Sequence, residues 1–168
     1  DLERTRHDAA SHEEYVYGSA EVVGLMCLQV FVNAGRAFPV DPDPRLVECA
    51  RRLGAAFQDV NFLRDVADDR GRLGRDYLGI GGDDAGGDTT RAAVLDRIDA
   101  DLDVAADAIS GLPADCPRAV TTAHGLFAEL AHRPPEDSGD TRVSVPAPVK
   151  ATIAAKAFAG VPPRRSGT

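Results

Sequence analysis

The chain has 168 residues, enough for one ordinary domain with its own hydrophobic core and too few for two. Its formal net charge of -8 argues against nucleic acid as a partner, because binding to phosphates needs a basic face. No apolar run approaches the roughly 20 residues that a membrane span needs, so we expect no transmembrane helix. The expected location is cytoplasmic, with membrane association left open.

The three cysteines, Cys27, Cys49 and Cys116, lie in apolar sequence without the spacing of zinc ligands or of a disulfide framework. We therefore expect three small core residues in a reducing compartment. The first residue is Asp1, and neither an initiator methionine nor a signal peptide is present. This favours the expectation that the sequence begins inside a longer protein.

Apolar residues recur at helical spacing through most of the chain, which predicts an all-α fold. The capping-box pattern from Ser11 to Glu14 predicts a helix that runs to about Val32. A turn follows, in which Asp43 is the expected N-cap and Pro44 the first residue of a long helix. That second helix is predicted to reach about residue 69.

Residues 79–87 are rich in Gly and Asp, which predicts a surface loop. Because no Gly-Lys-Ser/Thr sequence accompanies them, a phosphate-cradling loop is not expected. Three more helices are predicted, at about 90–109, 117–132 and 148–159, with Gly111 and Gly160 as stop signals. Residues 1–160 would then form a single helical domain, and 161–168 a mobile tail.

Within the second predicted helix, Asn61, Asp65 and Asp69 follow one another at intervals of four residues. This spacing places three oxygen-bearing residues along one face, with Gln58 one turn earlier. The remaining surface of the helix carries five apolar residues that are expected to pack in the core: Leu53, Phe57, Val60, Leu63 and Val66.

Carboxylates that face the interior of a helical bundle are costly to desolvate unless they are paired or bound to a cation. Oxygen ligands favour Mg²⁺, which usually keeps waters and binds substrate phosphates together with one or two carboxylates. The pattern therefore suggests a diphosphate ester as ligand. The alternative is a solvated helix face, because Asp65 and Asp69 alternate with Arg64, Arg70 and Arg72.

Two stretches resemble the signatures of phytoene and squalene synthases. The first is LGAAFQDVNFLRDVADD, residues 53–69, followed by GRDYL at 74–78; the second is YVYGSAEVVGLM, residues 15–26. Residues 123–130 and 142–146 with Lys150 are similar to the last helices of the family, most of all to actinobacterial phytoene synthases. The resemblance thus covers nearly the whole chain.

The resemblance implies an all-α bundle of the isoprenoid synthase type and a prenyltransferase activity. The expected reaction is the Mg²⁺-dependent head-to-head condensation of two geranylgeranyl diphosphates to phytoene, via prephytoene diphosphate, in carotenoid biosynthesis. The alternatives are a squalene or dehydrosqualene synthase that uses farnesyl diphosphate, and a non-catalytic helical subunit or pseudoenzyme fragment. A head-to-tail prenyltransferase or terpene cyclase is a further option, which the Tyr-rich stretch argues against.

The family also implies roles for individual residues. Asn61, Asp65 and Asp69 would hold Mg²⁺, with Mn²⁺ as the alternative ion, and no nucleotide cofactor is indicated. Arg64 and Gln58 would lie beside the diphosphate, so that Asp65, Asp69 and Arg64 form the expected catalytic set. Four further substrate-binding residues are expected: Tyr77 from the following loop, Tyr15 and Val23 along the prenyl channel, and Arg142, for which a surface role is the alternative.

The match departs from the family at several positions. The first acidic motif of the family, two aspartates four residues apart on an early helix, is not found; Asp99 and Asp103 have the spacing but fall after the second motif. Glu21 stands where many relatives have Gly, Asp59-Val60 where Leu-Thr is frequent, Gly79 where Pro is common, and Ala123 or a neighbour where the family often has a tyrosine.

We therefore expect the chain to lack the N-terminal helices of the bundle and to be inactive alone. Its expected partners, besides the prenyl diphosphate substrate, are a missing N-terminal half or a second copy. Peripheral membrane contact for product release is left open.

Overall fold

The computed structural model describes residues 14–73, 87–113, 116–133 and 143–163, with side chains except at 65–73 and 87–90. Over these ranges the chain is all-α, as predicted, and has five helices. Their bounds are α1, Glu14–Asn33; α2, Pro44–Leu73; α3, Gly87–Ala108; α4, Cys116–Ala131; and α5, Ala147–Phe158. A π-helical segment, Tyr17–Glu21, lies within α1, and a 3₁₀ turn, Ile109–Gly111, follows α3.

The predicted start of the second helix is confirmed. The backbone N–H of Arg45 donates to Asp43 Oδ1 at 2.8 Å, which is the N-cap bond, and α2 begins at Pro44. The predicted end near residue 69 was wrong by four residues, since α2 continues to Leu73. The predicted end was too early because the apolar periodicity stops near residue 69, whereas the helix continues through a charged stretch.

The other predicted helices are found within three residues of their expected bounds. The stop at Gly160 is confirmed: its φ is +81°, and the N–H of Val161 donates to the Lys156 carbonyl at 3.0 Å. Three predictions lie outside the described residues, namely the capping residue Ser11, the loop at 79–86 and the tail at 164–168.

Helix α2 is the centre of the bundle, because it packs against α1, α3 and α4. Its Ala56 and Val60 are buried against Ile98 of α3, and its Phe57 ring stacks on Phe127 of α4 with a centroid distance of 3.8 Å. The predicted apolar surface is confirmed for Leu53, Phe57, Val60 and Leu63, and the side chain of Val66 lies outside the described part. Burial of these side chains is the main stabilising term of the bundle.

Helices α1 and α2 cross at two glycines. A Cβ placed on Gly24 would lie 2.3 Å from the Ala50 carbonyl oxygen, and one on Gly54 would lie 2.6 Å from that of Ala20. Because both contacts are with backbone, no side-chain movement could relieve them. The two helices therefore approach at a distance that only glycine permits at these positions.

The expectation for the cysteines was correct only in part. Cys49 is buried, its thiol donates to the Ala105 carbonyl at 3.2 Å, and burial raises its pKa to about 11. Cys116 is partly buried. Cys27 is exposed, which contradicts the prediction. The prediction failed because the outward face of α1 is itself apolar, so its sequence has the pattern of a core-facing helix.

Helix α1 also departs from the expectation about membrane spans. The helix has 20 residues, and its most apolar window of 18 residues has a mean hydropathy of 1.5 and is 17% buried. By length and composition alone it could cross a membrane, a test that a core helix of a soluble protein also passes. This is weak evidence, and the location of the protein stays a prediction.

Candidate functional site

The predicted polar stripe lies on a continuous helix. Since α2 runs unbroken from Pro44 to Leu73, the backbone positions of Gln58, Asn61, Asp65 and Asp69 follow one another along one side of it. Gln58 and Asn61 are partly buried, whereas the side chains of Asp65 and Asp69 lie outside the described part. The helix therefore presents these positions in the predicted order, and their roles stay predictions.

Helix α1 runs antiparallel to α2 beside this stripe. The crossing at Gly54 is one turn before Gln58, and further along the Tyr15 ring meets the Phe62 ring with centroids 5.7 Å apart. Phe62 directly follows Asn61, so Tyr15 lies at the level of the predicted metal-binding turn. The Ser19 hydroxyl donates to the Tyr15 carbonyl at 2.6 Å within the π-helical segment. Such segments occur often at functional sites.

Of the four remaining predicted site residues, two lie within the described structure and two lie outside it. Val23 is about half exposed, at 51%, two turns after Tyr15 on α1. Arg64 is partly buried on α2 and has an interaction partner. Tyr77 and Arg142 lie outside the described residues. The structure thus places the Tyr15 ring against Phe62, the neighbour of Asn61 in the chain, and the roles of all these residues stay predictions.

A magnesium site is compatible with the donors on the stripe. An Asn amide oxygen and two carboxylates at successive turns of one helix form an oxygen-only donor set, which suits Mg²⁺ and leaves room for substrate oxygens. Among the side chains that the structure describes, no group of three His, Cys, Asp or Glu residues could hold a metal. The two aspartates of the stripe are not among those side chains.

A second feature adjoins the same helix. A cleft of about 540 Å³ opens between the start of α1, α2 and α3. Ten residues line it: Glu14, Val16, Tyr17, Glu21, Arg51, Arg52, Ala55, Asp59, Arg97 and Asp101. Seven of these residues are charged, in contrast with the apolar core on the neighbouring side of α2.

Ion pairs connect the charged residues of the cleft. Arg97 donates from Nη2 and Nε to Asp59 Oδ2, at 2.7 and 2.8 Å, and Arg52 Nη1 donates to Asp101 Oδ1 at 2.9 Å. Both carboxylate side chains are nearly buried, at 3% and 8% exposure. Burial raises the pKa of Asp101, and the hydrogen bond from Arg52 opposes that rise.

A further ion pair lies at the edge of the cleft. Arg51 Nε donates to Glu21 Oε2 at 2.7 Å, which joins α2 to α1. The hydrogen bond with Glu21 raises the pKa of Arg51. Sequence reasoning missed these pairs. The only signal was that Glu21 and Asp59 depart from the residues frequent in the family.

The chain is thus an all-α protein with an oxygen-donor stripe on its central helix. Residues 1–80 match the squalene/phytoene synthase family model. The matched segment contains α1, α2 and both signature stretches, and it supports the family that those stretches indicated. No curated protein and no solved structure matches the chain significantly. The particular likeness to actinobacterial phytoene synthases stays a prediction.

Proposed function

We propose that the chain is part of a head-to-head prenyl synthase that condenses two geranylgeranyl diphosphates to phytoene in carotenoid biosynthesis. The supporting observation is the family match over residues 1–80, which contains both the oxygen-donor stripe of α2 and the Tyr-rich helix packed beside it. Condensation of two prenyl diphosphates is the general activity that this family suggests. The twenty-carbon substrate is the finer part of the proposal.

The polar residues of α2 would bind the diphosphate. Asn61, Asp65 and Asp69 would hold Mg²⁺, which when bound neutralises the negative charge that develops on the leaving diphosphate. Arg64 would supply charge-assisted hydrogen bonds to the same oxygens, and Gln58 a neutral one. These donors act on charge that grows as the carbon–oxygen bond breaks, so they stabilise the transition state more than the bound substrate.

The outward face of α1 would form one wall of the prenyl channel. Tyr15 and Val23 are 42% and 51% exposed, and Met26 and Val30 continue the apolar face. Departure of diphosphate leaves an allylic cation, which needs an apolar and water-poor surrounding to avoid capture by water. The ring of Tyr15 would face that cation at the level of Asn61 and stabilise it through its π system.

Two alternatives are kept. Farnesyl diphosphate would give squalene or dehydrosqualene through the same groups, because the donors on α2 bind the diphosphate and not the prenyl tail. The second alternative is a non-catalytic helical subunit that is completed by a partner. The apolar face of α1 would then meet that partner, or a membrane surface during product release.

The test is product analysis on the gene product that contains this chain. It would be incubated with Mg²⁺ and radiolabelled geranylgeranyl or farnesyl diphosphate, and the hydrocarbon products would be separated. Asp65→Ala and Asp69→Ala are each expected to lower turnover by about 100-fold or more, as loss of one transition-state stabiliser does. Asp68→Ala is the matched control, because it removes the same charge one position away from the stripe.

Retention of full activity by both Asp65→Ala and Asp69→Ala would contradict the metal assignment. A product from farnesyl diphosphate alone would favour the squalene or dehydrosqualene alternative. Absence of any product, with diphosphate binding retained, would favour the subunit.

A further inference from the structure

Asp59, at the α3 edge of the charged cleft, lies on the opposite side of α2 from Asn61. Asp59 and Asn61 are two residues apart, which corresponds to a rotation of about 200° around a helix with 3.6 residues per turn. Asp59 is therefore directed to α3 while Asn61 belongs to the stripe. The ion pair between Asp59 and Arg97 therefore constrains the rotation of α2 about its axis. This rotation determines the side of the bundle to which α2 presents Gln58 and Asn61.

Two ion pairs join α2 to α3 in an antiparallel arrangement. Asp59 of α2 binds Arg97 of α3, and Arg52, two turns earlier on α2, binds Asp101, one turn later on α3. On both helices the arginine precedes the aspartate, and because the helices are antiparallel each cation meets an anion. Buried polar pairs are best attested in this role of fixing register.

Displacement of α3 by one turn would separate both ion pairs. Towards the start of α2, Asp101 would move from the guanidinium of Arg52 towards the carboxylate of Glu48, which is one turn away. In the other direction, Asp101 would lie opposite Ala55 and Ala56, which offer no cation. Either shift would also leave Asp59, whose side chain is 3% exposed, without the guanidinium that compensates its desolvation.

Two of the positions that depart from the family pattern, Glu21 and Asp59, line this cleft. Asp59 makes the pair with Arg97, and Glu21 binds Arg51, which precedes Arg52 on α2. Each acidic residue is thus matched by an arginine on a neighbouring helix.

We propose that Asp59, Arg97, Asp101 and Arg52 are positioning residues that hold the rotation and register at which α2 presents Gln58 and Asn61. The proposal rests on the proposed function, because it concerns the geometry of the metal-binding stripe. In this proposal the four residues bind one another across α2 and α3 and are not ligands of the diphosphate. Their effect on the metal is transmitted through the orientation of one rigid helix.

The test measures Mn²⁺ binding in the presence of inorganic pyrophosphate, by electron paramagnetic resonance of the free ion, on the gene product that contains this chain. Asp59→Asn is expected to weaken Mn²⁺ binding about tenfold, the lower end of the effect of removing groups that orient metal ligands. Glu48→Gln is the matched control, since it removes a negative charge and an arginine partner from the same helix without disconnecting α3. Its Mn²⁺ affinity should stay within about twofold of the unaltered protein.

A general loss of stability is distinguished by the variant Val94→Ala, which shortens a buried apolar side chain of α3 and removes no charged group. Even if Val94→Ala lowers the melting temperature as much as Asp59→Asn does, it should bind Mn²⁺ with the affinity of the unaltered protein. Equal weakening in Val94→Ala and Asp59→Asn would overturn the positioning role, and so would unaltered Mn²⁺ binding by Asp59→Asn. The double variant Asp59→Asn/Arg97→Gln should be no weaker than Asp59→Asn, because the pair acts as one unit.

Failure of the proposed function has a different signature. If Asp65→Ala binds Mn²⁺ as tightly as the unaltered protein, the metal assignment fails whatever Asp59→Asn does. If Asp65→Ala loses binding and Asp59→Asn does not, the positioning role fails and the metal site stands. Lack of Mn²⁺ binding by the unaltered protein would overturn both.

Discussion

His124 is fully buried at the centre of α4. Its Nε2 hydrogen-bonds the Leu102 carbonyl of α3 at 2.9 Å, so Nε2 carries the proton and donates. Its Nδ1 has no partner among the described residues. Burial lowers the pKa of this ring, and a neutral His is therefore part of the α3–α4 contact.

This histidine predicts a pH dependence of stability. Because its pKa in the folded chain lies below the usual 6.5, the unfolded chain binds the proton more readily. The stability that depends on the neutral ring is fully present above about pH 6.5 and is lost as pH falls through the folded pKa. Urea unfolding at about pH 7.5 and 5.5 should show a larger loss in the unaltered chain than in His124→Gln, by up to about 1.4 kcal/mol.

The comparison of the two proteins removes the contribution of the carboxylates, which titrate in both. An equal loss of unfolding free energy in the unaltered chain and in His124→Gln would contradict the assignment of this pH dependence to His124. From sequence, His124 could be predicted only to be structural, because the apolar surroundings of a single His say nothing about which carbonyl it meets.

At the scale of elements, the crossing of α1 and α2 is what places Tyr15 beside the stripe. Gly54→Ala would bring a methyl group 2.6 Å from the Ala20 carbonyl oxygen, and the helices would have to separate. We expect a loss of about 1–3 kcal/mol in the free energy of unfolding, as for other overpacked sites. Urea denaturation measures this loss.

Gly18→Ala is the control for this substitution. It lies on α1 with no atom within 4 Å of the added methyl group, so it should be neutral or stabilise by up to about 1 kcal/mol through helix propensity. Equal effects of the two substitutions would show that the crossing is looser than described. The glycines themselves are visible in the sequence, but a glycine within a helix pattern does not reveal which backbone approaches it.

At the scale of the whole molecule, the outward face of α1 is apolar and uncovered within the described structure. Val23, Met26 and Val30 are 51%, 63% and 66% exposed, and Phe38 in the following segment is 84% exposed. Contiguous apolar surface of this kind marks an interaction site or causes association. It is the surface that would line a prenyl channel, and it is also available to another protein chain.

We therefore predict that the isolated 168-residue chain self-associates. Sedimentation velocity over a range of concentrations should show dimers or larger species, and Met26→Lys/Val30→Lys should shift the chain towards monomer because two charges oppose burial of the face. Val104→Lys, at a 41% exposed position on α3, is the control and should leave the association unchanged. A monomer at every concentration would contradict the prediction.

The sequence by itself determined the helices and which of them carries the oxygen-donor stripe. The N-cap at Asp43, the stop at Gly160 and the spacing of Asn61, Asp65 and Asp69 are local patterns, and local backbone chemistry is sufficient to read them. The family match over residues 1–80 supports the interpretation of the two signatures within that segment.

Only the tertiary structure decided which residues meet across helices. The pairs of Asp59 with Arg97 and of Asp101 with Arg52 join positions 38 and 49 residues apart, and a charged residue in a mixed run gives no sign of its distant partner. The exposure of Cys27 was decided in the same way. An apolar helix face has the same sequence whether another element covers it or not, so its burial depends on the assembled fold.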